Sequence, residues 1–162
     1  PARGLRQRQM CIRDRKVQAS SRILLGERST APSEVCEFFG TETTVAHTHL
    51  RRLRLGDGEP YSIDDGWYNS TFAPSLLEND IYNSVYAILE STFEVPITGA
   101  EQTVTAVAAE EDIAELLDVP LNTPLLHITR LARSGDRPVE WCSSVYRTDR
   151  YRLTTHVSRA RI

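Results

Sequence analysis

The stretch that decides the fold is residues 45–68, VAHTHLRRLRLGDGEPYSIDDGWY, in which two alternating segments flank a glycine-containing turn. Arg52 and Arg54 are two residues apart, so they share one side of a predicted strand while the leucine between them points to the other side. The turn over Gly56–Pro60 follows because glycine tolerates positive φ angles and Asp side chains bond the local backbone. The second segment then returns as an antiparallel partner strand.

The same pattern returns 78 residues further along, in residues 123–146, TPLLHITRLARSGDRPVEWCSSVY. Without gaps, apolar positions of one stretch fall on apolar positions of the other, and the two turns coincide. This agreement predicts an internal duplication, in which each copy forms a helix, a strand, a tight turn and a returning strand around a pseudo-twofold axis. The identical pairs at this offset are Glu37 and Glu115, His49 and His127, Arg52 and Arg130, Leu53 and Leu131, Pro60 and Pro138, and Tyr68 and Tyr146.

Periodicity and capping signals place the remaining elements. Ser33 is the predicted N-cap of the first helix, and Gly40 its stop. Strands joined by hairpins are antiparallel, so the predicted fold class is α+β, an antiparallel sheet flanked by helices. The predicted helices are Ser33–Phe39, a segment from Asn79 or Asp80 to Leu89, and Glu110–Leu117; the predicted strands are Val17–Leu25, Val45–Leu55, Tyr61–Tyr68, Ile97–Ala108, Leu125–Arg133 and Val139–Tyr146.

Length and composition indicate one soluble domain. The chain has 162 residues, and none of its apolar runs approaches the ~18 residues of a membrane span, so no membrane partner is expected. The first 28 residues carry eight basic and two acidic groups, leaving a net charge of −9 on the rest, which is expected to repel nucleic acid. Three widely spaced cysteines are typical of reduced thiols in a cytoplasmic protein.

The domain boundary follows from the same charge distribution. Residues 1–18 are predicted to be an Arg-rich interdomain linker or arm, and residues 19–162 to be the folded domain. Because the chain starts without an initiator Met, further sequence is expected before Pro1.

Charged residues on the predicted strands are the candidates for chemistry. Arg52 and Arg54 suit a carboxylate or phosphate through forked hydrogen bonds, although surface ion pairs are an equal alternative. Asp64 and Glu140 lie on the two returning strands and are expected to point inward beside the arginines. They are better suited to accept hydrogen bonds from ligand hydroxyl or amino groups than to acid–base catalysis.

Other chemistry has weaker support. His47 and His49 alternate onto one strand face, but no third ligand is recognisable nearby, so no metal site is predicted. No triad with an activated nucleophile and no phosphate or dinucleotide loop is present, so neither a catalytic residue nor a cofactor is expected.

Four ordered segments resemble one known family, the UTRA effector-binding domain: residues 52–60, 75–78 followed by 84–90, 109–117, and 137–140 followed by 144–151. The resemblance covers about residues 17–157. UTRA domains form the C-terminal half of bacterial GntR-type transcription regulators of the HutC subfamily. The resemblance therefore implies a chorismate lyase-like fold that binds a small molecule and signals to a winged-helix DNA-binding domain upstream of Pro1.

The family pattern also implies a ligand site. The matching positions are two strand arginines, a strand acid, a Ser and a Tyr at a helix start, and a late Glu and Tyr: Arg52, Arg54, Asp64, Ser84, Tyr86, Glu140 and Tyr146. The chain departs from the pattern at Asp64, where the family often has Glu, at Gly66, where it often has Ser, and at Asn69, where it often has Pro.

Three functions remain open from the sequence. The favoured one is a ligand-sensing and dimerisation domain in a cytoplasmic homodimer, which binds a sugar phosphate or other anionic metabolite and contacts operator DNA only through the N-terminal domain. The second is a chorismate lyase-like enzyme acting on a small carboxylated substrate. The third is a dimerisation module with a vestigial pocket.

Overall fold

The computed structural model describes residues 18–82 and 84–155, which form one six-stranded antiparallel sheet with three short helices. The predicted α+β fold class is confirmed. The predicted linker over residues 1–18 lies outside the described residues except for Gln18. In chain order the elements are β1 Ala19–Thr30, α1 Ser33–Phe39, β2 Ala46–Gly56, β3 Glu59–Tyr68, α2 Val85–Ser91, β4 Gly99–Ala108, α3 Glu111–Leu117, β5 Pro124–Ser134 and β6 Arg137–Arg147.

The strand order across the sheet is β1-β2-β3-β6-β5-β4, so the two returning strands lie side by side at the centre. Both hairpins turn where the sequence predicts. Asp57 and Gly58 take φ angles of 51° and 81° in the first turn, and Gly135 takes 59° in the second. These left-handed conformations match the right-handed twist of the strands they join.

The two faces of the sheet are covered differently. The front face, which carries Leu50, is covered at one end by α2, whose Val85 and Leu89 pack against Tyr68 and Val139. The back face packs against α3 at Leu53 and Ile63, and against α1 at Trp67. On β2, β3 and β6 the rest of the front face carries mostly polar side chains.

Two predicted helix starts are wrong. Pro32, not Ser33, takes the N-cap position of α1, and its carbonyl accepts hydrogen bonds from the amides of Val35 and Cys36. The second helix begins at Val85 rather than at Asn79 or Asp80, because the Asn79 side chain donates to the carbonyls of Ser75 and Leu76.

Ser84 instead caps α2. Its hydroxyl accepts a hydrogen bond from the Ala87 amide at 3.3 Å. Asp80 accepts from the Tyr82 amide and so forms a turn of its own before the helix. Ile81, which precedes the helix, and Val85 and Leu89 within it are all buried in the front core.

The element bounds repeat at the offset of 78. Helices 33–39 and 111–117, and strands 46–56 and 124–134, correspond residue for residue, and β1 and β4 end at the matched positions 30 and 108. The strand order is also symmetrical about the seam between β3 and β6. These observations agree with the predicted duplication. That the two halves arose by duplication stays a prediction.

Asn69 has a structural reason for replacing the family's proline. Its amide donates to the Val139 carbonyl at 2.9 Å, and its side chain donates to the Pro138 carbonyl at 3.0 Å. Proline would lack the backbone donor. Asn69 therefore ties the end of β3 to the start of β6.

No helix within these described ranges has both the length and the apolarity that a membrane crossing needs.

Candidate functional site

A polar cluster occupies the front face where β2, β3, β6 and β5 lie side by side. Strand alternation aims every second side chain of each strand at this face, which is why residues distant in sequence meet there. We call it the front-face cluster and define it as Arg52, Arg54, Asp64, Tyr68, Tyr86, Arg130, Glu140, Cys142, Ser144 and Tyr146.

The first half of the cluster is built around Asp64. Arg52 lies directly opposite Asp64 in the pairing of β2 with β3, and its Nη2 is 3.6 Å from Oδ2. Arg54 approaches the same oxygen at 3.4 Å, and the Ser144 hydroxyl donates to Oδ1 at 2.8 Å. One carboxylate thus holds two cations.

The second half is built around Glu140, whose side chain is 1% exposed. Arg130 forms a bidentate ion pair with this carboxylate: Nε donates to Oε2 at 3.0 Å and Nη2 donates to Oε1 at 3.2 Å. The Tyr86 hydroxyl donates to Oε2 at 2.5 Å, and the Arg130 guanidinium lies over the Tyr86 ring at 5.4 Å from its centroid. Helix α2 is thereby joined to the sheet through Tyr86.

The ionisation states in the second half follow from burial and the Glu140 carboxylate. Burial raises the pKa of Tyr86 far above its usual value, and Glu140 raises it further, so the phenol remains a donor. Burial alone would lower the pKa of Arg130, but the attraction of Glu140 outweighs it and the net pKa is raised. Arg130 is therefore a cation throughout the physiological range.

The side chains at the centre of the cluster are uncharged. Burial raises the pKa of the Cys142 thiol, with Glu140 adding to the effect, so the thiol is neutral. Burial likewise raises the pKa of Tyr68 well above its usual value. The Tyr68 ring lies over Gly66. A Cβ built on that glycine would be 3.2 Å from the ring edge and 3.2 Å from the hydroxyl.

Tyr146 lies at the end of the cluster that is next to Ser62. Its ring stacks on Tyr151 with centroids 4.1 Å apart, and burial followed by the nearby Asp64 charge raises its pKa. Ser62 lies beside it, opposite Arg54 on one side and Tyr146 on the other.

Several buried donors in this region have no hydrogen-bond partner among the described residues. They are the Nε atoms of Arg52 and Arg54 and the hydroxyl of Ser62. An unpaired buried donor costs about 1–3 kcal/mol, so such groups at one place are usually satisfied by something that binds there.

The structure brings together six of the seven predicted site residues: Arg52, Arg54, Asp64, Tyr86, Glu140 and Tyr146. Ser84 is exposed and caps α2, two residues before Tyr86, so the structure assigns it the capping contact while its role toward a ligand stays a prediction.

Arg130 is the residue that the sequence interpretation missed as a site residue. The signal was present, because Arg130 falls on Arg52 at the 78-residue offset. The similarity is easy to miss because the second copy keeps only one arginine of the pair: Arg54 corresponds to Ala132.

The back-face histidines have protein partners. His47 accepts from the Ser70 amide through Nδ1 at 3.2 Å and contacts the Thr41 hydroxyl through Nε2 at 2.9 Å. His49 stacks on Trp67 at 4.1 Å between centroids and bonds Asp65 at 2.5 Å. Within residues 18–82 and 84–155, no group of three or more His, Cys, Asp or Glu side chains is placed to hold a metal ion.

Comparisons with known proteins identify the family of this chain. A family model described as the UTRA domain matches residues 14–152. The chain belongs to the UTRA domain family. It is 32% identical over 112 residues to the histidine utilization repressor of Pseudomonas putida, in an alignment that covers 68% of this chain and 44% of that repressor.

Solved structures show the same UTRA fold. The ligand-binding domain of a protein from Bordetella bronchiseptica, assigned to the GntR family of transcriptional regulators, has a TM-score of 0.79 and 32% identity, covering 87% of this chain and 90% of that one. The C-terminal domain of the histidine utilization repressor from Pseudomonas syringae pv. tomato str. DC3000 has a TM-score of 0.79 and 25% identity, covering 88% and 100%.

The relatives of this UTRA domain are bacterial transcriptional repressors, and the resemblance to GntR-type regulators of the HutC subfamily is confirmed. The expectation of a regulatory domain rather than an enzyme is confirmed by the same relatives. The chain spans about half the length of the curated relatives it matches.

Proposed function

We propose that this UTRA domain senses a small anionic metabolite at the front-face cluster. In the whole protein, occupancy of the cluster would control operator binding by an N-terminal winged-helix domain, in a cytoplasmic homodimer. The relatives that match this chain are longer repressors, of which the alignments cover 44–61%, and this supports a further domain. The sequence-implied contacts of Ser84 and Tyr146 with the ligand belong to the same proposal.

The observation that carries the proposal is the state of Arg52. Its side chain is 7% exposed, yet its only ion pair described is 3.6 Å long and its Nε has no hydrogen-bond partner among the described residues. Burying a guanidinium with weak compensation is expensive, and a stable fold retains such a group when another partner repays the desolvation. An anion bound against Arg52 and Arg54 would be that partner.

The regulatory step follows from Tyr86. This side chain is carried by α2 but bonded to Glu140 on the sheet, so a ligand that competes for Glu140 or adds to the Tyr86 contact changes how firmly α2 is held. A ligand can shift such an equilibrium only through different affinities for the two positions of α2. Helix α2 is therefore the proposed link between occupancy and DNA binding.

The test is anion binding by the parent chain and an Arg52→Met variant. Isothermal titration calorimetry and thermal shift with a library of carboxylates, phosphate esters and inorganic phosphate should reveal at least one ligand for the parent and a loss of at least tenfold in affinity for the variant. The matched control is Arg22→Met, which removes an exposed cation from the edge strand β1. Equal loss in both variants, or binding undiminished in Arg52→Met, would contradict the proposal.

A further inference from the structure

We propose, resting on the function proposed above, that the front-face cluster is selective for a compact carboxylate over a phosphate ester, with Tyr68 as the residue that limits ligand size. Two observations carry this inference. One is the balance of charge in the cluster, and the other is the position of the Tyr68 ring on Gly66.

The cluster holds one more positive than negative charge. Three guanidinium groups, those of Arg52, Arg54 and Arg130, face the two carboxylates of Asp64 and Glu140. The remaining titratable groups add nothing to this balance, because burial raises the pKa values of Cys142, Tyr68, Tyr86 and Tyr146 and keeps them neutral. A singly charged anion would neutralise the cluster.

The excess charge lies at one end of the cluster. Arg130 is already bonded to Glu140 through Nε and Nη2. Arg52 and Arg54 instead share the single carboxylate of Asp64, and their Nε donors have no partner within residues 18–82 and 84–155. A phosphate ester carries about −1.5 to −2 at pH 7, which would leave negative charge beside Asp64 in a largely buried site. A carboxylate matches both the charge and the forked geometry of arginine.

Tyr68 limits the space beside these arginines. A Cβ at residue 66 would lie 3.2 Å from its ring, so the glycine lets the ring lie across β3 without being displaced. The second copy provides the contrast: Ser144 occupies the place of Gly66, and Tyr146, which corresponds to Tyr68, stacks on Tyr151. Gly66 therefore places a phenol at the centre of the site, between the Arg52 and Glu140 charges that act on it.

The first test compares anions that share a ring and differ in the charged substituent. The pairs are glucuronate with glucose 6-phosphate and benzoate with phenyl phosphate, measured by calorimetry and thermal shift at pH 7.5 and constant ionic strength. The parent chain should bind the carboxylate of a pair at least tenfold more tightly. Asp64→Asn raises the excess to two positive charges and should reverse the preference.

The matched control is Asp65→Asn. It makes the same change of charge at the next residue of the same strand, but Asp65 faces the back of the sheet and bonds His49. The carboxylate preference should survive in this variant. If Asp65→Asn reverses the preference as well, the effect is one of overall charge and the proposed selectivity is wrong.

The second test concerns size. The parent should bind benzoate at least tenfold more tightly than 1-naphthoate, and Tyr68→Ala should bring the two affinities within threefold. Because Tyr68 is part of the core, Tyr68→Leu and Gly66→Ala serve as additional variants, the latter displacing the ring without removing it. An unchanged ratio in every variant that retains a cooperative unfolding transition would refute the role of Tyr68.

The outcomes separate this inference from the proposed function. If phosphate esters bind the parent as tightly as their carboxylate partners and lose that binding in Arg52→Met, the site stands and its carboxylate selectivity is overturned. If neither class of anion binds or stabilises the parent, both proposals are overturned.

Discussion

Glu140 is the single side chain on which the second half of the cluster depends, because it bonds both Arg130 and Tyr86. We expect Glu140→Gln to lower the free energy of unfolding by about 3 kcal/mol, since it leaves the mostly buried Arg130 cation without a charged partner. Tyr86→Phe removes one hydrogen bond and should cost about 1 kcal/mol. Urea denaturation followed by circular dichroism measures both changes.

The surface pair of Arg150 with Glu59 is the control for the Glu140 prediction. Glu59→Gln should cost less than about 1 kcal/mol, because exposed ion pairs contribute little. A loss at Glu140→Gln no larger than the loss at Glu59→Gln would show that the Arg130 pair is not essential to the fold.

His47 should make stability depend on pH. Burial, followed by repulsion from Arg28, lowers its pKa, so the folded state holds this imidazole neutral with Nδ1 accepting from Ser70. Between the lowered value and about 6.5 the unfolded chain binds more protons than the folded one. The His47 contribution is therefore complete above about pH 6.5 and is lost as pH falls, at up to about 1.4 kcal/mol per pH unit.

His47→Asn isolates this contribution, because the asparagine oxygen can still accept from the Ser70 amide but does not titrate. The variant should be less stable than the parent at pH 7.5, and the difference in free energy of unfolding should shrink at pH 6.5 and 5.5. Urea denaturation at the three pH values provides the comparison. A difference that stays constant across them would contradict the buried neutral state.

At the residue level, the sequence predicted which strands carry the site but not how charges pair within it. Arg52, Arg54, Asp64 and Glu140 could be placed on one face from strand alternation alone. The pairing of Arg130 with Glu140 could not, since it is a diagonal contact between β5 and β6 whose partners depend on register. Register is set by the bulge at Ala132 and Arg133, which no local sequence signal specifies.

At the level of elements, hairpins were easier to predict than helices. Glycine and aspartate in the two turns leave few conformations, whereas Asn79, Asp80 and Ser84 all have side chains that can cap a helix. Tertiary structure decides among them. Asn79 donates to preceding carbonyls and Ile81 is buried, so Ser84 caps the helix, which begins at Val85. Propensity cannot resolve such a competition on its own.

The first hairpin turn should be sensitive to its glycine. Gly58 has a φ angle of 81° with open space around a would-be Cβ, so Gly58→Ala should cost about 1 kcal/mol through backbone strain alone. The control is Gly99→Ala at the start of β4, where space is also open and the φ angle is not in the left-handed region. It should be neutral or stabilising by up to about 1 kcal/mol. Chemical denaturation of both variants distinguishes strain from packing, and equal losses would contradict the turn conformation.

At the scale of the whole molecule, the two matched halves share one sheet and cannot be separate cores. The seam pairs Ser62–Tyr68 of β3 with 140–146 of β6, at the centre of the sheet. Both main apolar clusters cross this seam: the front one joins Tyr68 with Val139, and the back one joins Ile63 with Leu125. A half taken alone would expose a central strand edge together with both apolar faces.

This arrangement predicts that the halves fold only together. Fragments 1–94 and 95–162, divided at the exposed Glu94 with its φ angle of 57°, should each lack a cooperative thermal transition by circular dichroism. An equimolar mixture should regain strand signal and a single transition, because β3 and β6 recover their pairing and the clusters close. The control is the intact chain with a protease site inserted after Glu94 and cleaved once folded, which should retain its structure. Cooperative unfolding of the first fragment alone would mean that the first copy is an independent folding unit, and would contradict this prediction.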